Sequence, residues 1–406
     1  MDGEFCGPAA RQRVGLFGEA IKTGEAMSIE VIEKRRGVLI GGSGLIGGTL
    51  MHYFKTKTPD IEVLSPNSKK LSLREPEDIR LYFKRYQPDF IVNTAIAAID
   101  SDAQLAFEIN YLGSLHLARV AIAHKIPYIH FSSAATMPVG ENLSEDQLQP
   151  LTANLSNYAK SKLMTEMTLR HMHETQGLDY TNIRLAVVYG KHDHKIQGFH
   201  RLLFSIADQA MPVLLTRKGV KHSYTQSKKI PPFVHHILGR RSEFSGQTYN
   251  LVDREPVELV HLILTIKAYL DLSTPREIYV PYALSRLSRI ITKGVLRRMS
   301  RVGIEARLPA ELMFLENFYE SQTLSAQKLL NSSYGDPAPE VTVYSRLPAL
   351  IEYYISRWEH LNLISTFNEE YYDPKKRVEA FQKNPQKLIE MIHSRNDVVP
   401  ESMADF

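Results

Sequence analysis

Short apolar runs alternate with longer amphipathic stretches over the first half of the chain. The apolar runs predict five strands, over 38–40, 61–64, 90–92, 128–131 and 181–188. The amphipathic stretches between them predict four helices, over 44–55, 76–86, 103–124 and 156–176. Because strands that are apolar along their whole length are buried on both faces, this alternation predicts an α/β fold in which helices cover a doubly wound parallel sheet.

The pattern changes after Gly190, where strands become scarce and His, Lys and Arg become frequent. A smaller, mostly helical lobe is therefore expected over 191–358, with 346–358 as its closing helix. The flanking segments predict a mobile N-terminal arm over 1–36 and a polar helical tail over 359–406. The sheet domain is accordingly expected over 37–190.

The composition is that of an ordinary globular protein, with 43% hydrophobic residues and a formal net charge of +4. So small an excess of positive charge does not indicate nucleic-acid binding. The single cysteine, Cys6, excludes a disulfide within the chain. The N-terminal arm lacks the continuous apolar segment of a secretory signal, and the longest apolar helical stretch, 257–270, is too short to cross a bilayer. We therefore expect a cytoplasmic protein.

Glycines follow the first predicted strand in the spacing Gly41-x-x-Gly44-x-x-Gly47 and lead into a helix. Glycine adopts backbone angles that a side chain forbids, and it lets a ligand approach the main chain closely. The N-terminus of a helix adds unpaired N–H groups and a partial positive charge. Strand, turn and helix together predict a site for the pyrophosphate of a dinucleotide, so the domain over 37–190 is expected to be a dinucleotide-binding Rossmann domain.

Neutral and basic residues follow the second predicted strand, namely Ser65, Asn67, Lys69 and Lys70, and the stretch 63–73 contains no Asp or Glu. An acidic residue at this place would bind the 2′-hydroxyl of NAD, whereas a 2′-phosphate needs neutral or positive partners. The sequence therefore favours NADP(H), with NAD(H) as the alternative. The two lysines could also be a solvated surface pair.

Tyr158 and Lys162 lie four residues apart in "NYAKSK" and so share one face of a predicted helix. A free tyrosine has a pKa of about 10, and a neighbouring cation favours the phenolate. Lys162 can supply that charge and also bind a nicotinamide ribose, while Tyr158 exchanges a proton with a substrate oxygen. Ser133, at the end of a predicted strand, could bind the same oxygen. Ser132 is the alternative to Ser133.

Seven segments occur in the order typical of one known family: "GGSGLIGG", "PDFIVNTAIAAID", "FEINYLGSLHLARVA", "HFSSAATM", "NYAKSK", "NIRLAVVYG" and "GQTYNLVD". The chain resembles the extended short-chain dehydrogenase/reductases, also called the NAD-dependent epimerase/dehydratase family, over roughly residues 36–358. Its middle part looks most like dTDP-4-dehydrorhamnose reductases. The resemblance implies a Rossmann fold, a nicotinamide cofactor and a substrate-binding lobe over 191–358.

The resemblance also implies roles for individual residues. Around the pyrophosphate it implies Gly41, Ser43, Gly44, Leu45, Ile46 and Gly47, and along the rest of the cofactor it implies Leu73, Thr94, Ala95 and Val187. The catalytic residues that it implies are Ser133, Tyr158, Lys162 and a helix asparagine, Asn110. The candidates for substrate contact are Thr136, Met137, Lys191 and His192. His192 and His194 do not supply the three convergent ligands of a metal site, so no metal is expected.

Two departures from the family pattern bear on the reaction. Dehydratases of the family carry an acidic pair after the serine of the triad, and this chain has Ala134 and Ala135 there. Sugar dehydration is therefore not expected. The later stretch "YTQSKK" lacks the family's usual aspartate, which indicates a different substrate lobe.

Two further segments suggest partners. Residues 284–303 carry six Lys and Arg residues on a pattern with an apolar opposite face. This pattern is typical of a helix on an anionic membrane, of a channel for a phosphorylated substrate, or of a solvated helix packed on the body. The helices over 103–124 and 156–176 pair across a two-fold axis in many members of the family, which implies a homodimer.

These observations predict an NAD(P)-dependent oxidoreductase that transfers hydride to or from a carbonyl or secondary alcohol, with a nucleotide-sugar as the expected substrate class. One alternative is a nucleotide-sugar epimerase that retains NAD, because the same triad serves both reactions. A second is a nucleotide-binding scaffold without turnover. A third is a reductase of a lipid or sterol-like substrate, which the basic segment 284–303 would favour.

Overall fold

The computed structural model describes residues 34–207, 213–214, 219–277, 319–361, 363 and 381–386. The basic segment 284–303, most of the predicted N-terminal arm and most of the predicted tail lie outside these residues. Residues 35 and 36, which the sequence places in the arm, begin the first strand.

The described strands, in chain order, are β1 (Arg35–Ile40), β2 (Ile61–Leu64), β3 (Phe90–Asn93), β4 (Tyr128–Ser133), β5 (Gly140–Leu143), β6 (Tyr180–Leu185), β7 (Val187–Tyr189), β8 (Val213–Leu214), β9 (Lys221–His222), β10 (Tyr224–Gln226), β11 (Gln247–Leu251), β12 (Val257–Glu258), β13 (Arg276–Glu277) and β14 (Gln322–Leu324). The described helices are α1 (Leu45–Lys57), α2 (Pro76–Tyr86), α3 (Ala103–Leu105), α4 (Gly113–His124), α5 (Asn157–Gln176), α6 (Gly198–Ala207), α7 (Ile230–Gly239), α8 (Arg241–Phe244), α9 (Leu259–Tyr269), α10 (Gln327–Leu330) and α11 (Val343–His360). A π-helical stretch over Ala106–Leu112 joins α3 to α4, so the predicted helix over 103–124 is continuous.

A six-stranded parallel sheet forms the first layer, in the order β11-β6-β4-β3-β1-β2. Its register aligns Ile40 of β1 with Asn93 of β3, and Asn93 with His130 of β4. All its strand pairs are parallel, and the order reverses at β1 and β3, as a doubly wound sheet requires. The predicted fold class is confirmed.

Helices cover both faces of this sheet because neighbouring residues of each strand point to opposite sides. On one face Ile91 of β3 packs in a cluster with Phe83 of α2 and Leu169 of α5. On the other face Val92 of β3 packs in a cluster with Phe54 of α1, and α7 contributes to the same cluster. The catalytic candidates of α5 therefore lie on the face that α2 and α4 also cover.

The second lobe contains more strands than the sequence pattern predicts. A four-stranded sheet in the order β12-β9-β14-β5 lies in it, together with a helical core from α6, α9 and α11. Strands of two to four residues are too short to show an alternating pattern, which is why the sequence does not reveal them. The lobe takes β5 from residues 140–143, while β11 of the main sheet comes from the range predicted for the lobe. The chain thus crosses between the two parts more than once.

The predicted strand over 181–188 is interrupted at Ala186. The N–H of Ala186 donates to the hydroxyl of Thr225 at 3.2 Å. Beyond this point β7 leaves the main sheet and pairs with β10. The interruption carries the chain from the sheet to the lobe, at the carboxyl edge where ligands bind in folds of this kind. Within the described residues, no helix is both long enough and apolar enough to cross a membrane.

Candidate active site

Backbone groups in the turn between β1 and α1 lie so close together that side chains are excluded. Gly41 has a φ of +86°, and a Cβ there would lie 2.8 Å from the backbone nitrogen of Ala95 and from Thr94 Oγ1. A Cβ on Gly47 would lie 2.2 Å from the carbonyl oxygen of Gly41. The hydroxyl of Thr94 donates to the carbonyl of Ile40 at 2.8 Å. The predicted cofactor residues Thr94 and Ala95 thus lie directly against the glycine turn.

The N-terminus of α1 opens onto the surface. Gly44 is its N-cap, and no side chain caps the first N–H groups of the helix. Ser43 and Gly44 are exposed, and a Cβ on Gly44 would meet only the carbonyl oxygen of Gly41, at 3.6 Å. The first N–H groups of a helix lack intrahelical partners and carry a partial positive charge. The arrangement fits a pyrophosphate, which the backbone N–H groups of Leu45 and Ile46 would hold.

The residues that follow β2 lie beside this turn. A Cβ on Gly42 would lie 2.1 Å from Ser65 Oγ, so Ser65 is in contact with the glycine turn. Asn67 Oδ1 accepts the backbone N–H groups of Lys69 and Lys70 at 3.2 and 3.1 Å. Asn67 therefore shapes a local turn, and both lysine side chains are exposed at its end.

The two remaining cofactor candidates are packed against protein. Leu73 is 7% exposed and belongs to the core between the sheet and α4, where a Cβ on Gly113 would lie 2.9 Å from Leu73 Cβ. Leu73 therefore faces the core, and its carbonyl group lies 3.2 Å from His116 Nδ1. Val187 is half-buried and packs against the helical core of the second lobe. It stands where the chain passes from the main sheet to the lobe.

Ser133 and Tyr158 meet at the carboxyl edge of the sheet. Ser133 ends β4, Tyr158 lies in the first turn of α5, and the two side chains are hydrogen-bonded. Ser133 Oγ also accepts the N–H of Ala135 at 3.2 Å, which fixes its orientation. Ser132 Oγ is buried and has no hydrogen-bond partner among the described residues. Of the two serines that the sequence offers, Ser133 is therefore the one that contacts Tyr158.

Burial is the largest influence on the pKa of Tyr158 and raises it, and the hydrogen bond from Ser133 lowers it. Lys162, which is 4% exposed, donates from Nζ to the carbonyl of Phe131 at 2.7 Å. Burial lowers the pKa of Lys162 to about 8, and the nearby carboxylate of Glu166 opposes this shift. Lys162 is thus held against β4 one turn after Tyr158, and Ser133 supplies the hydrogen bond that favours the phenolate.

A buried ion pair, which the sequence pattern does not predict, lies beside Ser133, Tyr158 and Lys162. Arg184 of β6 donates to Glu166 of α5, with a shortest contact of 2.6 Å, and their side chains are 0% and 3% exposed. Glu166 Oε1 also lies 3.0 Å from the hydroxyl of Thr136, which in turn donates to the carbonyl of Ser133 at 2.9 Å. Glu166 follows Lys162 by one helical turn, and this spacing is the only signal for it in the sequence.

Asn110, expected near the catalytic group, is fully buried in the π-helical stretch. Its Oδ1 accepts the N–H of Ala97 at 2.8 Å, and its Nδ2 donates to Ser161 Oγ at 3.0 Å. Ser161 Oγ donates to the carbonyl of Tyr158 at 2.9 Å. Asn110 therefore joins the loop after β3 to the first turn of α5.

The four candidates for substrate contact fall into two pairs. Thr136 is 0% and Met137 is 2% exposed, and both are packed inside the protein beneath the Ser133 turn. Burial of their side chains excludes a direct contact with substrate in this arrangement. Lys191 and His192 are exposed and lie against α11, where His192 Nδ1 is 3.0 Å from Tyr353 Oη and Lys191 Nζ is 5.6 Å from the same ring.

The stretch "YTQSKK", which lacks the expected aspartate, places a lysine in a buried acidic site. Lys229 Nζ lies 3.2 Å from a carboxylate oxygen of Asp253 and 3.2 Å from one of Asp336. Asp253 also accepts the hydroxyl of Tyr189 at 2.7 Å. Lys229 and Asp253 are buried, so each charge is compensated inside the protein. The stretch that lacks the aspartate thus supplies Lys229 to a buried ion pair, and this ion pair joins the ends of β7 and β11.

Residues 38–221 match the sequence model of the NAD dependent epimerase/dehydratase family. The match runs from β1 to the first residue of β9. The recognition made from the seven sequence segments is confirmed, and with it the assignment to a class of NAD-dependent enzymes. The matched residues of this chain include the glycine turn, Ser133, Tyr158 and Lys162.

Two curated proteins are similar to this chain over part of their length. SpsK, a spore coat polysaccharide biosynthesis protein of Bacillus subtilis, is 26% identical over 266 residues, which cover 60% of this chain and 87% of that protein. GDP-L-colitose synthase of Yersinia pseudotuberculosis is 26% identical over 196 residues, which cover 45% of this chain and 62% of that protein.

Two solved structures share the fold of this chain. UDP-glucose 4-epimerase of Thermus thermophilus in complex with NAD has a TM-score of 0.57 at 17% identity, over 79% of this chain and 99% of that one. dTDP-4-dehydrorhamnose reductase of Bacillus anthracis in complex with NADP has a TM-score of 0.55 at 14% identity, over 80% of this chain and 99% of that one. The first of these structures holds NAD and the second holds NADP, and their likeness to this chain is one of fold.

Proposed function

We propose that this protein is an NAD(P)-dependent oxidoreductase that transfers hydride between a nicotinamide and a carbonyl group of a nucleotide-sugar. The observation that carries the proposal is the hydrogen-bonded pair of Ser133 and Tyr158, with Lys162 one turn further on, at the carboxyl edge of the sheet. The similarity to SpsK and to GDP-L-colitose synthase supports the nucleotide-sugar as substrate class.

The dinucleotide supplies the hydride when it is bound. Its pyrophosphate would lie on the N-terminus of α1, where the glycine turn leaves room for it. In the reductive direction, the carbonyl oxygen gains negative charge as its carbon accepts hydride, and the phenol of Tyr158 gives its proton to that oxygen. Ser133 donates a hydrogen bond that orients the same oxygen. The positive charge of Lys162 favours the phenolate that Tyr158 leaves behind.

The residues around Ser133 and Tyr158 favour reduction of a substrate over its dehydration. Elimination of water from a sugar needs an acid and a base beside the triad, and Ala134 and Ala135 carry no such group. Met137 and Thr136, which complete the turn, are buried. We therefore propose that the protein is a reductase. Because its fold is similar to that of UDP-glucose 4-epimerase, epimerase activity is the alternative that the experiment must distinguish.

NADP(H) is the cofactor that we propose. Ser65 contacts the glycine turn, and the exposed side chains of Lys69 and Lys70 follow it around a turn shaped by Asn67. These groups offer hydroxyl and ammonium donors where the adenosine ribose would lie. A 2′-phosphate gains charge-assisted hydrogen bonds from such donors, whereas the 2′-hydroxyl of NAD has no carboxylate partner in the stretch 63–73.

A homodimer is proposed from an exposed apolar patch, the α5 patch, formed by Phe107, Tyr111 and Met167. Phe107 is 44% and Met167 is 49% exposed, and the rings of Phe107 and Tyr111 lie 5.5 Å apart. The hydroxyl of Tyr111 lies 3.3 Å from Thr168 Oγ1, so the π-helical stretch and α5 form one surface. Large exposed apolar side chains on neighbouring elements are typical of an interface, and a two-fold pairing is the commonest way to cover them.

The proposal is tested with purified protein in three steps. Calorimetric titration with NADPH and with NADH measures binding, and tighter binding of NADPH is expected. Loss of reduced-nicotinamide absorbance with dTDP-4-dehydrorhamnose as substrate then measures reduction. Conversion of UDP-glucose without net nicotinamide consumption would instead support the epimerase. Failure to bind either dinucleotide would refute both.

A further inference from the structure

Side-chain amides hold the turn that carries Ser133. The carbonyl of Ala135 accepts Gln149 Nε2 at 2.5 Å, and the carbonyl of Thr136 accepts the backbone N–H of Gln149 at 3.0 Å. Thr136 itself donates to the carbonyl of Ser133. Gln149 therefore supports two carbonyl groups of the turn over residues 133–138 from outside that turn.

Gln322 provides the second support. Its Nε2 lies 3.1, 3.2 and 3.1 Å from the carbonyl oxygens of Ala134, Met137 and Pro138. The amide has two N–H groups, which three convergent carbonyls share. Ala134 also accepts one internal bond, from the N–H of Met137 at 2.9 Å. Because carbonyl groups only accept, this site requires a donor at position 322.

The position of Gln322 joins the turn to the second lobe. Gln322 is the first residue of β14, which lies between β9 and β5 in the four-stranded sheet of that lobe. Its backbone carbonyl accepts the N–H of Ser223 at 3.1 Å. A movement of β14 would therefore pull on the carbonyls that surround Ser133.

We propose that Gln322 and Gln149 are positioning residues that hold the turn over 133–138 so that Ser133 stays hydrogen-bonded to Tyr158. Gln149 fixes Ala135, whose N–H is the donor to Ser133 Oγ. Gln322 fixes Ala134, the next residue after Ser133, and links it to the lobe. The inference rests on the proposed function, because it assigns these glutamines to the same catalytic pair.

Gln322→Glu is the sharpest test, because it keeps the shape of the side chain and replaces its donors by a carboxylate that the three carbonyls repel. Gln327→Glu is the matched control. Gln327 lies five residues further on in α10, is exposed, and donates to Asn331 Oδ1 at 2.9 Å. Both variants add the same charge to the same part of the full-length chain.

The first readout is a ¹³C NMR titration of labelled tyrosine, with the Tyr158 signal assigned by its loss in Tyr158→Phe. The bond from Ser133 lowers the pKa of Tyr158, so Gln322→Glu is expected to raise this pKa and Gln327→Glu to leave it unchanged. The second readout is kcat with NADPH and dTDP-4-dehydrorhamnose, expected to fall by ~10–100-fold in Gln322→Glu. The Kd for NADPH is expected to stay within about twofold.

An unchanged Tyr158 titration in Gln322→Glu would overturn the inference. So would a loss of NADPH affinity as large as the loss of kcat, because that would indicate a general structural defect. If Gln322→Glu does not fold, Gln322→Met replaces it, since it removes the donors without adding charge, and the same outcomes apply. A wild-type protein that binds no dinucleotide would refute the proposed function, while the titration would still decide whether Gln322 positions Ser133.

Discussion

Arg184 donates hydrogen bonds to both carboxylate oxygens of Glu166 inside the protein, at 2.6 to 3.1 Å. The pair joins β6 to α5 one turn after Lys162, and Thr136 extends it to the turn of Ser133. Removing one partner of such a pair leaves a buried charge and costs roughly 3–5 kcal/mol. The pair therefore links α5 to β6 and also places a negative charge near Lys162.

Glu166→Gln is expected to move the alkaline limit of activity to lower pH. Burial lowers the pKa of Lys162 to about 8, and the charge of Glu166 opposes this lowering. Without that charge the pKa of Lys162 falls further, by about one pH unit, so Lys162 loses its proton earlier as the pH rises. The pH dependence of kcat measures the shift. Glu174→Gln, an exposed change on the same helix, serves as the control, and an unshifted limit in Glu166→Gln would contradict the electrostatic role.

Adjacent glycines of α1 give opposite predictions. A Cβ on Gly47 would lie 2.2 Å from the carbonyl oxygen of Gly41, so Gly47→Ala is expected to lower the melting temperature and weaken NADPH binding. A Cβ on Gly48 would meet only the carbonyl oxygen of Gly42, at 3.7 Å. Gly48→Ala is therefore expected to raise the free energy of unfolding by about 0.5–1 kcal/mol, the usual gain within a helix. Thermal unfolding and calorimetry measure both, and equal effects of the two changes would contradict the packing account.

The choice of cofactor is expected to depend on the two lysines after β2. Lys69→Glu combined with Lys70→Glu should weaken NADPH binding by about tenfold, the equivalent of one hydrogen bond to a charged group. Binding of NADH should stay nearly constant, because its ribose carries no phosphate. Lys57→Glu, an exposed change at the end of α1, is the control. Equal losses for NADPH and NADH would show that the lysines do not read the 2′-phosphate.

If the α5 patch forms the dimer interface, a single charged side chain within it is expected to dissociate the dimer. Met167→Glu places a carboxylate at an exposed apolar position of the α5 patch, which also contains Phe107 and Tyr111. Sedimentation velocity is expected to show a dimer for the wild type and a monomer for Met167→Glu. Leu81→Glu, at another exposed apolar position on α2, should leave the dimer intact. A monomeric wild type would refute this assembly.

The sequence predicts the sheet domain well because its signals are local. Each of the predicted strands over 38–40, 61–64, 90–92 and 128–131 lies within a strand of the sheet, and the helix over 156–176 begins one residue after its cap, Ser156, whose hydroxyl accepts the N–H of Ala159 at 3.1 Å. Apolar runs, glycines and caps act within a few residues, so a pattern reveals them. The strand Gln247–Leu251 escaped prediction because its place beside β6 depends on a distant part of the chain.

The candidate site is only partly predictable for the same reason. Tyr158 and Lys162 share a helix face, and that spacing is visible in the sequence. Gln322 reaches the Ser133 turn from almost two hundred residues away along the chain, and no local pattern marks it. Burial is also invisible in a single sequence: Met137 follows the triad serine closely, yet the fold turns its side chain into the core.

Single-turnover oxidation of bound NADPH by Tyr158→Phe tests the central claim most directly. The phenylalanine keeps the ring and removes only the proton donor, so NADPH should bind as tightly as it does to the wild type. The rate with dTDP-4-dehydrorhamnose should fall by ~10²–10⁴-fold, the usual contribution of a positioned acid. Oxidation at the wild-type rate in Tyr158→Phe would contradict the account, because the proton would then reach the substrate oxygen from another group.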